Sequence, residues 1–107
     1  MSIFIIESEE KFIGIFSAYK TGDYKVDGKI ETLVNITNDF ILKVNEDHLP
    51  DYSMKIYKDA LKQLLDKFLD VLLISVYEAD PNSPSKYAIQ LIDFYKPQVE
   101  RAKKYYL

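Results

Sequence analysis

The sequence predicts an α+β domain in which an N-terminal antiparallel β-meander packs against two C-terminal helices. Two patterns favour this fold. Apolar and β-branched residues alternate with polar ones in the first half of the chain, as in residues 30–36, which is typical of half-buried strands. After Pro50 the apolar residues recur every three or four positions, which is typical of helices with one buried face. The length predicts one domain, residues 1–107, strand-rich at 1–50 and helix-rich at 51–107.

Clusters of Gly, Asn, Asp, Ser and Glu divide the first half into short segments of strand length. Four or five strands are predicted, at about residues 2–7, 11–19, 23–26, 29–36 and 39–45. Asp27-Gly28 suits a two-residue hairpin turn, because both residue types tolerate a positive φ angle. The first half is therefore expected to form an antiparallel meander.

A helical interpretation of the same half makes the protein mostly α, as a four-helix bundle. Ser8 would begin a helix whose apolar residues recur at helical spacing as far as Tyr19, and Gly22 would follow its end. Gly14 in the interior of that helix and the polar run at 35–39 in a second one both disfavour helix formation. The meander is the preferred interpretation.

Two helices are predicted after Pro50. From Ser53 to about Asp70 one face is apolar and the opposite face is charged, and either Asp51 or Ser53 would cap the helix. Its apolar positions are Met54, Tyr57, Leu61, Leu64, Leu65, Phe68 and Leu72. A second helix would begin at Ser83-Pro84 and run to about residue 105, with a kink at Pro97.

Residues 71–77 are apolar on all sides, so the helical pattern is lost there. They form either the buried end of the first of these helices or a separate buried strand. In the second case 71–78 and 86–94 would form a hairpin, and only a short terminal helix would remain.

The composition argues against an enzyme. The absence of cysteine excludes disulfides, thiolate nucleophiles and sites built on cysteine sulfur. The single histidine, His48, and three isolated glycines form neither a recognisable catalytic motif nor a phosphate-binding loop. The loop at 45–48 brings oxygens and an imidazole together, but it lacks the glycine and the final acidic residue of a calcium-binding loop. We therefore predict no catalytic residue, no cofactor and no bound metal.

The sequence also predicts where the protein acts. Its apolar runs are far shorter than the roughly 18 residues of a membrane span, and its N-terminus lacks the basic start of a signal peptide. Together with the absence of cysteine, these features predict a cytoplasmic protein that makes no contact with a membrane.

Charge and tyrosine placement favour a protein-binding function. The net charge is −3, and the acidic excess lies in residues 1–50. Several of the nine tyrosines fall near turns, where an aromatic ring with a hydroxyl suits an interface. The predicted partner-binding residues are Tyr24, Glu46, Asp47, Asp51 and Tyr52. They predict an acidic module that binds a basic protein partner, as an inhibitor or an immunity-type protein would.

Two other functions fit the sequence. A structural or oligomerising subunit would pair with another copy through the apolar residues 71–77. A nucleic-acid binder would use the basic end of the last helix, where Tyr105 and Tyr106 add stacking surfaces. Its cations are Lys96, Arg101, Lys103 and Lys104. This patch is small beside the strongly basic faces of nucleic-acid binders, so nucleic acid is the less favoured partner.

Overall fold

A computed structural model describes residues 16–45 and 50–107, except for the side chains of Ser83 and Pro84. No strand occurs in these residues, so the predicted α+β fold with an N-terminal meander is wrong, and the described part of the chain is all-α. A segment that is neither helix nor strand, residues 16–21, comes first, and we call it the strap. It is followed by the helices α1 (Tyr24–Val44), α2 (Asp51–Ala79) and α3 (Ser83–Tyr106).

The strands predicted from residue 23 onward fall within α1 and its caps. The buried side chains of α1 recur at helical spacing: Val26, Ile30, Leu33, Val34, Thr37, Ile41 and Val44. Ile30 and Val34 are buried, but Thr32 and Ile36, which complete the apparent alternation, are exposed. A strand would have placed all four side chains on one face, so the alternation misled the prediction.

The remaining predicted strands lie at the N-terminus. The strand at 2–7 and the first part of the one at 11–19 lie outside the described residues. Residues 16–19 are described, and they belong to neither a strand nor a helix.

α1 begins at Tyr24 because Asp23 caps it. The Asp23 carboxylate accepts hydrogen bonds from the backbone N–H groups of Lys25 and Val26, at 3.0 and 3.4 Å. Gly22, just before the cap, has a φ of 96°, a conformation that favours glycine. The chain therefore turns at Gly22, and the predicted Asp27-Gly28 turn is wrong because both residues are helical.

Asp27 ties the start of α1 to the strap. Its carboxylate accepts from the N–H of Thr21 at 2.7 Å and from the N–H of Gly22 at 3.2 Å. Partial burial acts to raise the pKa of Asp27, but the hydrogen bonds from Thr21 and Gly22 and the charge of Lys20 outweigh it and hold the pKa below its usual value.

α2 and α3 are long and continuous. α2 begins at Asp51, with Pro50 in the cap position and no side-chain cap, and it continues through residues 71–77. α3 runs through residues 86–94 and past Pro97. Both segments are thus helical, and the hairpin alternative is wrong. Residues 71–77 look apolar on all sides because Leu72 and Val76 continue the buried face while Val71, Ile74 and Tyr77 are exposed.

α2 packs against both other helices. The start of α1 lies beside the end of α2, and Lys103 near the end of α3 contacts Asp66 of α2, so consecutive helices run antiparallel. Few contacts join α1 directly to α3, because the strap lies between them. Phe16, at the start of the strap, is buried among aromatic rings of the core. Its ring centroid lies 4.7 Å from that of Phe68 on α2 and 6.2 Å from that of Tyr95 on α3.

Side chains of α1 and α3 hold the backbone of the strap. On α1, Asn38 Oδ1 accepts from the N–H of Phe16 at 2.8 Å, and Asn38 Nδ2 donates to its carbonyl at 3.0 Å. On α3, the Tyr95 hydroxyl accepts from the N–H of Tyr19 at 2.8 Å and donates to the carbonyl of Ser17 at 2.7 Å. These bonds satisfy backbone groups that a neighbouring strand would otherwise pair.

Candidate functional site

An exposed apolar surface lies on the C-terminal half of α2. Leu72 and Val76 are fully buried, whereas Val71 is 37% exposed and Ile74 is 60% exposed. This part of α2 therefore presents one side to the core and an apolar side to solvent. This side of α2 is therefore a candidate for contact with another protein.

The exposed residues have a regular spacing. Lys67, Val71, Ile74 and Glu78, which we call the α2 face, follow one another at steps of four, three and four residues. This is the spacing of the contact seam in coiled coils. All four residues are exposed, and Tyr77, beside them, is 55% exposed. α2 therefore carries one seam that is buried in its own domain and a second seam that is open to another helix.

A depression of about 560 Å³ adjoins the α2 face at Glu78. α1 contributes Gly28 and Thr32 to its wall, and α2 contributes Glu78 and Ala79. A Cβ atom added to Gly28 would meet nothing within 4 Å, so there is room here for a partner's side chain. Ile36, one turn beyond Thr32, is 45% exposed and extends the apolar surface along α1.

The charge around this surface is mixed. Lys25 and Lys29 of α1 line the depression together with Glu78 of α2. Lys67 lies at the other end of the α2 face. The site thus has cations at both ends of its apolar centre and an acid at one of these ends. It suits a partner with charges of both signs.

The structure separates the predicted partner-binding residues. Tyr24 is 81% exposed at the start of α1, where it lines the depression beside the α2 face. Asp51 and Tyr52 begin α2, and Tyr52 is 77% exposed. α1 has 21 residues, about 30 Å, so Tyr24 lies at one end of the α1–α2 pair and Tyr52 at the other. Glu46 and Asp47 lie outside the described residues, and their role stays a prediction.

The basic end of α3 is partly neutralised. Lys103 Nζ lies 2.6 Å from a carboxylate oxygen of Asp66 on α2. The hydrogen bond from Lys103 is the main influence that lowers the pKa of Asp66. Lys104 Nζ lies 5.9 Å from the ring centre of Tyr105. At least two cations of the predicted nucleic-acid patch are thus engaged within the protein.

The α2 face is only partly visible in the sequence. The sequence shows that residues 71–77 are apolar on all sides of a helix, but it does not show which of them are buried and which are exposed. The heptad spacing from Lys67 to Glu78 is the available signal. The contribution of Gly28 and Thr32 was missed, because the predicted meander places both residues in strands and their turn. Among the described residues, no group of three His, Cys, Asp or Glu side chains is placed to hold a metal ion.

The chain matches no protein family, and comparison with curated proteins and with solved structures gave no match. In residues 16–45 and 50–107, none of the helices has the length and apolar character needed to cross a membrane.

Proposed function

We propose that the protein is a non-enzymatic assembly subunit that packs the α2 face against a helix of another chain. The observation that carries this proposal is the exposed pair Val71 and Ile74 at coiled-coil spacing. Full burial of an isoleucine side chain is worth about 1.5–3 kcal/mol, and Ile74, at 60% exposure, still has more than half of its surface to bury. A helix laid beside α2 would also cover the depression next to Glu78.

An acidic module that masks a basic partner fits the described surface less well. Of the residues predicted for that function, Tyr24 lies at the opposite end of the α1–α2 pair from Asp51 and Tyr52. Lys25 and Lys29 on α1 also line the depression beside Glu78, and they would repel a basic protein there.

Ile74→Asp tests the proposal, because it places a charge at the centre of the α2 face without touching the buried side of the helix. Ile89→Asp is the matched control, since Ile89 is 75% exposed on α3. The tagged wild-type chain and both variants would be purified from the same cells and checked for helicity by circular dichroism. Size-exclusion chromatography with light scattering then gives the mass and composition of each complex.

We expect the wild type and Ile89→Asp to form a complex of fixed stoichiometry, with a copy of themselves or with a different chain. Ile74→Asp should elute alone, because a buried and unpaired carboxylate is costly. A wild-type chain that elutes alone at every concentration and carries no stoichiometric partner contradicts the proposal. Equal assembly of Ile74→Asp and the wild type contradicts it as well.

A further inference from the structure

We propose that the helix that packs on the α2 face is α2 of a second copy, antiparallel to the first and related to it by a two-fold axis. This inference rests on the proposed function, and it adds the identity of the partner and the register of the contact. Its basis is the spacing of the α2 face, which is four, three and four residues in either direction along the chain. Lys67 stands at one end of this palindromic spacing and Glu78 at the other.

A two-fold axis halfway between Val71 and Ile74 pairs unlike residues throughout the face. Val71 of one copy then lies opposite Ile74 of the second copy, and the reverse contact follows by symmetry. Lys67 and Glu78 lie at equal distances from this axis, about 8 Å along the helix at about 1.5 Å per residue. Each Lys67 therefore lies opposite Glu78 of the second copy. One axis thus satisfies both the apolar contacts and the charged ones.

The two charges are placed to make such pairs. Lys62, which lies outside the α2 face, forms a salt bridge with Asp66 at 3.8 Å. Among the described residues, neither Lys67 nor Glu78 forms a salt bridge. In a parallel arrangement Lys67 would meet Lys67 and Glu78 would meet Glu78, so the charges favour the antiparallel orientation.

The surface of α1 beside the α2 face also affects the strength of the proposed dimer. Lys25 and Lys29 line the depression beside Glu78, and they partly oppose the approach of Lys67 from the second copy. Gly28 and Thr32, on the same wall, leave space for the side chains of the incoming helix. The α2 face spans only about 16 Å of helix, so we expect a weak dimer that forms reversibly with concentration.

Charge reversal tests the register. Lys67→Glu and Glu78→Lys each replace two attractive pairs with two repulsive ones, and the double variant restores attraction with the signs exchanged. In sedimentation equilibrium we expect a reversible wild-type dimer, a dimer about tenfold weaker for each single variant, and recovery in the double variant. Lys58→Glu is the matched control, because Lys58 is exposed on α2 outside the α2 face, and it should leave the dimer unchanged.

An equimolar mixture of the two single variants provides a second test. In each mixed dimer, the Lys67→Glu chain carries an acid at both charged positions of the α2 face, and the Glu78→Lys chain carries a lysine at both. Both charged pairs across the axis are then attractive, so we expect the mixture to dimerise as strongly as the wild type. Failure of the mixture to recover overturns the proposed pairing.

The outcomes separate this inference from the proposed function. A dimer that Ile74→Asp disrupts but that single charge reversals leave unchanged overturns the antiparallel register and keeps the assembly function. A wild-type monomer that forms an Ile74-dependent complex with a different chain overturns self-pairing alone. If no assembly of either kind forms, both proposals fail.

Discussion

At the residue scale, the hydroxyl of Tyr95 fixes the position of the strap. It donates to the carbonyl of Ser17 at 2.7 Å and accepts from the N–H of Tyr19 at 2.8 Å. Gln98 Oε1 adds a bond from the N–H of Ser17 at 3.0 Å. Burial raises the pKa of Tyr95 to about 12, although the hydrogen bond from the backbone of Tyr19 acts to lower it. The hydroxyl therefore keeps its proton, and its ability to donate, well into the alkaline range.

Tyr95→Phe removes both of these hydrogen bonds and leaves two backbone groups of the strap without those partners. We expect the free energy of unfolding to fall by about 2 kcal/mol at neutral pH, because partly buried polar groups that lose their partners are costly. Urea denaturation of the wild type and the variant measures the difference. Tyr105→Phe is the control, since Tyr105 is 52% exposed, and it should change the free energy by less than about 0.5 kcal/mol.

The raised pKa of Tyr95 gives this comparison a pH dependence. A tyrosine in the unfolded chain titrates near pH 10, whereas Tyr95 in the folded chain titrates at about 12. Between these values only the unfolded state has lost the proton, so stability falls as the pH rises. The advantage of the wild type over Tyr95→Phe should thus be constant below about pH 9 and shrink above about pH 10. A difference that stays constant up to about pH 11.5 contradicts the raised pKa.

At the element scale, two glycines near the start of α1 have opposite roles. Gly28 lies inside the helix, and an added Cβ there would meet nothing within 4 Å. Gly22 has a φ of 96°, which L residues rarely adopt.

Gly28→Ala should raise the free energy of unfolding by about 0.8 kcal/mol through helix propensity. Gly22→Ala should lower it by about 1 kcal/mol through backbone strain. Thermal and urea denaturation of both variants measure these changes, and effects of the same sign would contradict the assignment of roles.

α2 and α1 differ in how much of their structure the sequence could predict. In α2, the apolar period over 53–70 predicted the face that buries Leu61, Leu65 and Phe68, because a long three-to-four-residue period fits only a helix. In α1, Ile30 and Val34 fit a strand and a helix equally well. The helix is distinguished by the burial of Leu33 and Thr37, which depends on packing against other elements. A short window of sequence does not contain that information.

The same limit applied to the candidate site. The sequence indicated an unusual apolar segment at 71–77, and this segment does contain Val71 and Ile74. Which of its sides faces solvent depends on where α1 and α3 pack on α2, and the misassignment of α1 hid that arrangement. The partner-binding prediction grouped Tyr24 with Tyr52 for the same reason, although α1 places them at opposite ends.

At the scale of the whole molecule, Phe16 joins elements that are far apart in the sequence. It is 3% exposed, and its ring lies against Phe68 of α2 and Tyr95 of α3. Its backbone is held by Asn38 of α1. Since α1 and α3 share few direct contacts, the strap completes the core between them. The packing of the three helices therefore includes the strap, which the periodic apolar pattern of the helices does not predict.

Phe16→Ala should lower the free energy of unfolding by about 3–4 kcal/mol, because it leaves a cavity at the centre of the core. This is a large part of the roughly 5–15 kcal/mol of a typical small domain. Phe40→Ala is the control. Phe40 is only partly buried, with its ring 6.3 Å from that of Tyr57, and we expect a loss of about 1–2 kcal/mol. Urea denaturation gives both values.

The double variant Phe16→Ala/Tyr95→Phe shows whether the strap acts as a unit. If the Phe16 ring and the Tyr95 hydroxyl hold the same segment, losing one makes the other less effective, and the combined loss should be smaller than the sum of the single losses by at least about 0.5 kcal/mol. An additive double variant, or a Phe16→Ala loss no larger than that of Phe40→Ala, would show that the helices hold together without the strap. In that case the packing of α1 and α3 against α2 would be enough to hold the three helices together.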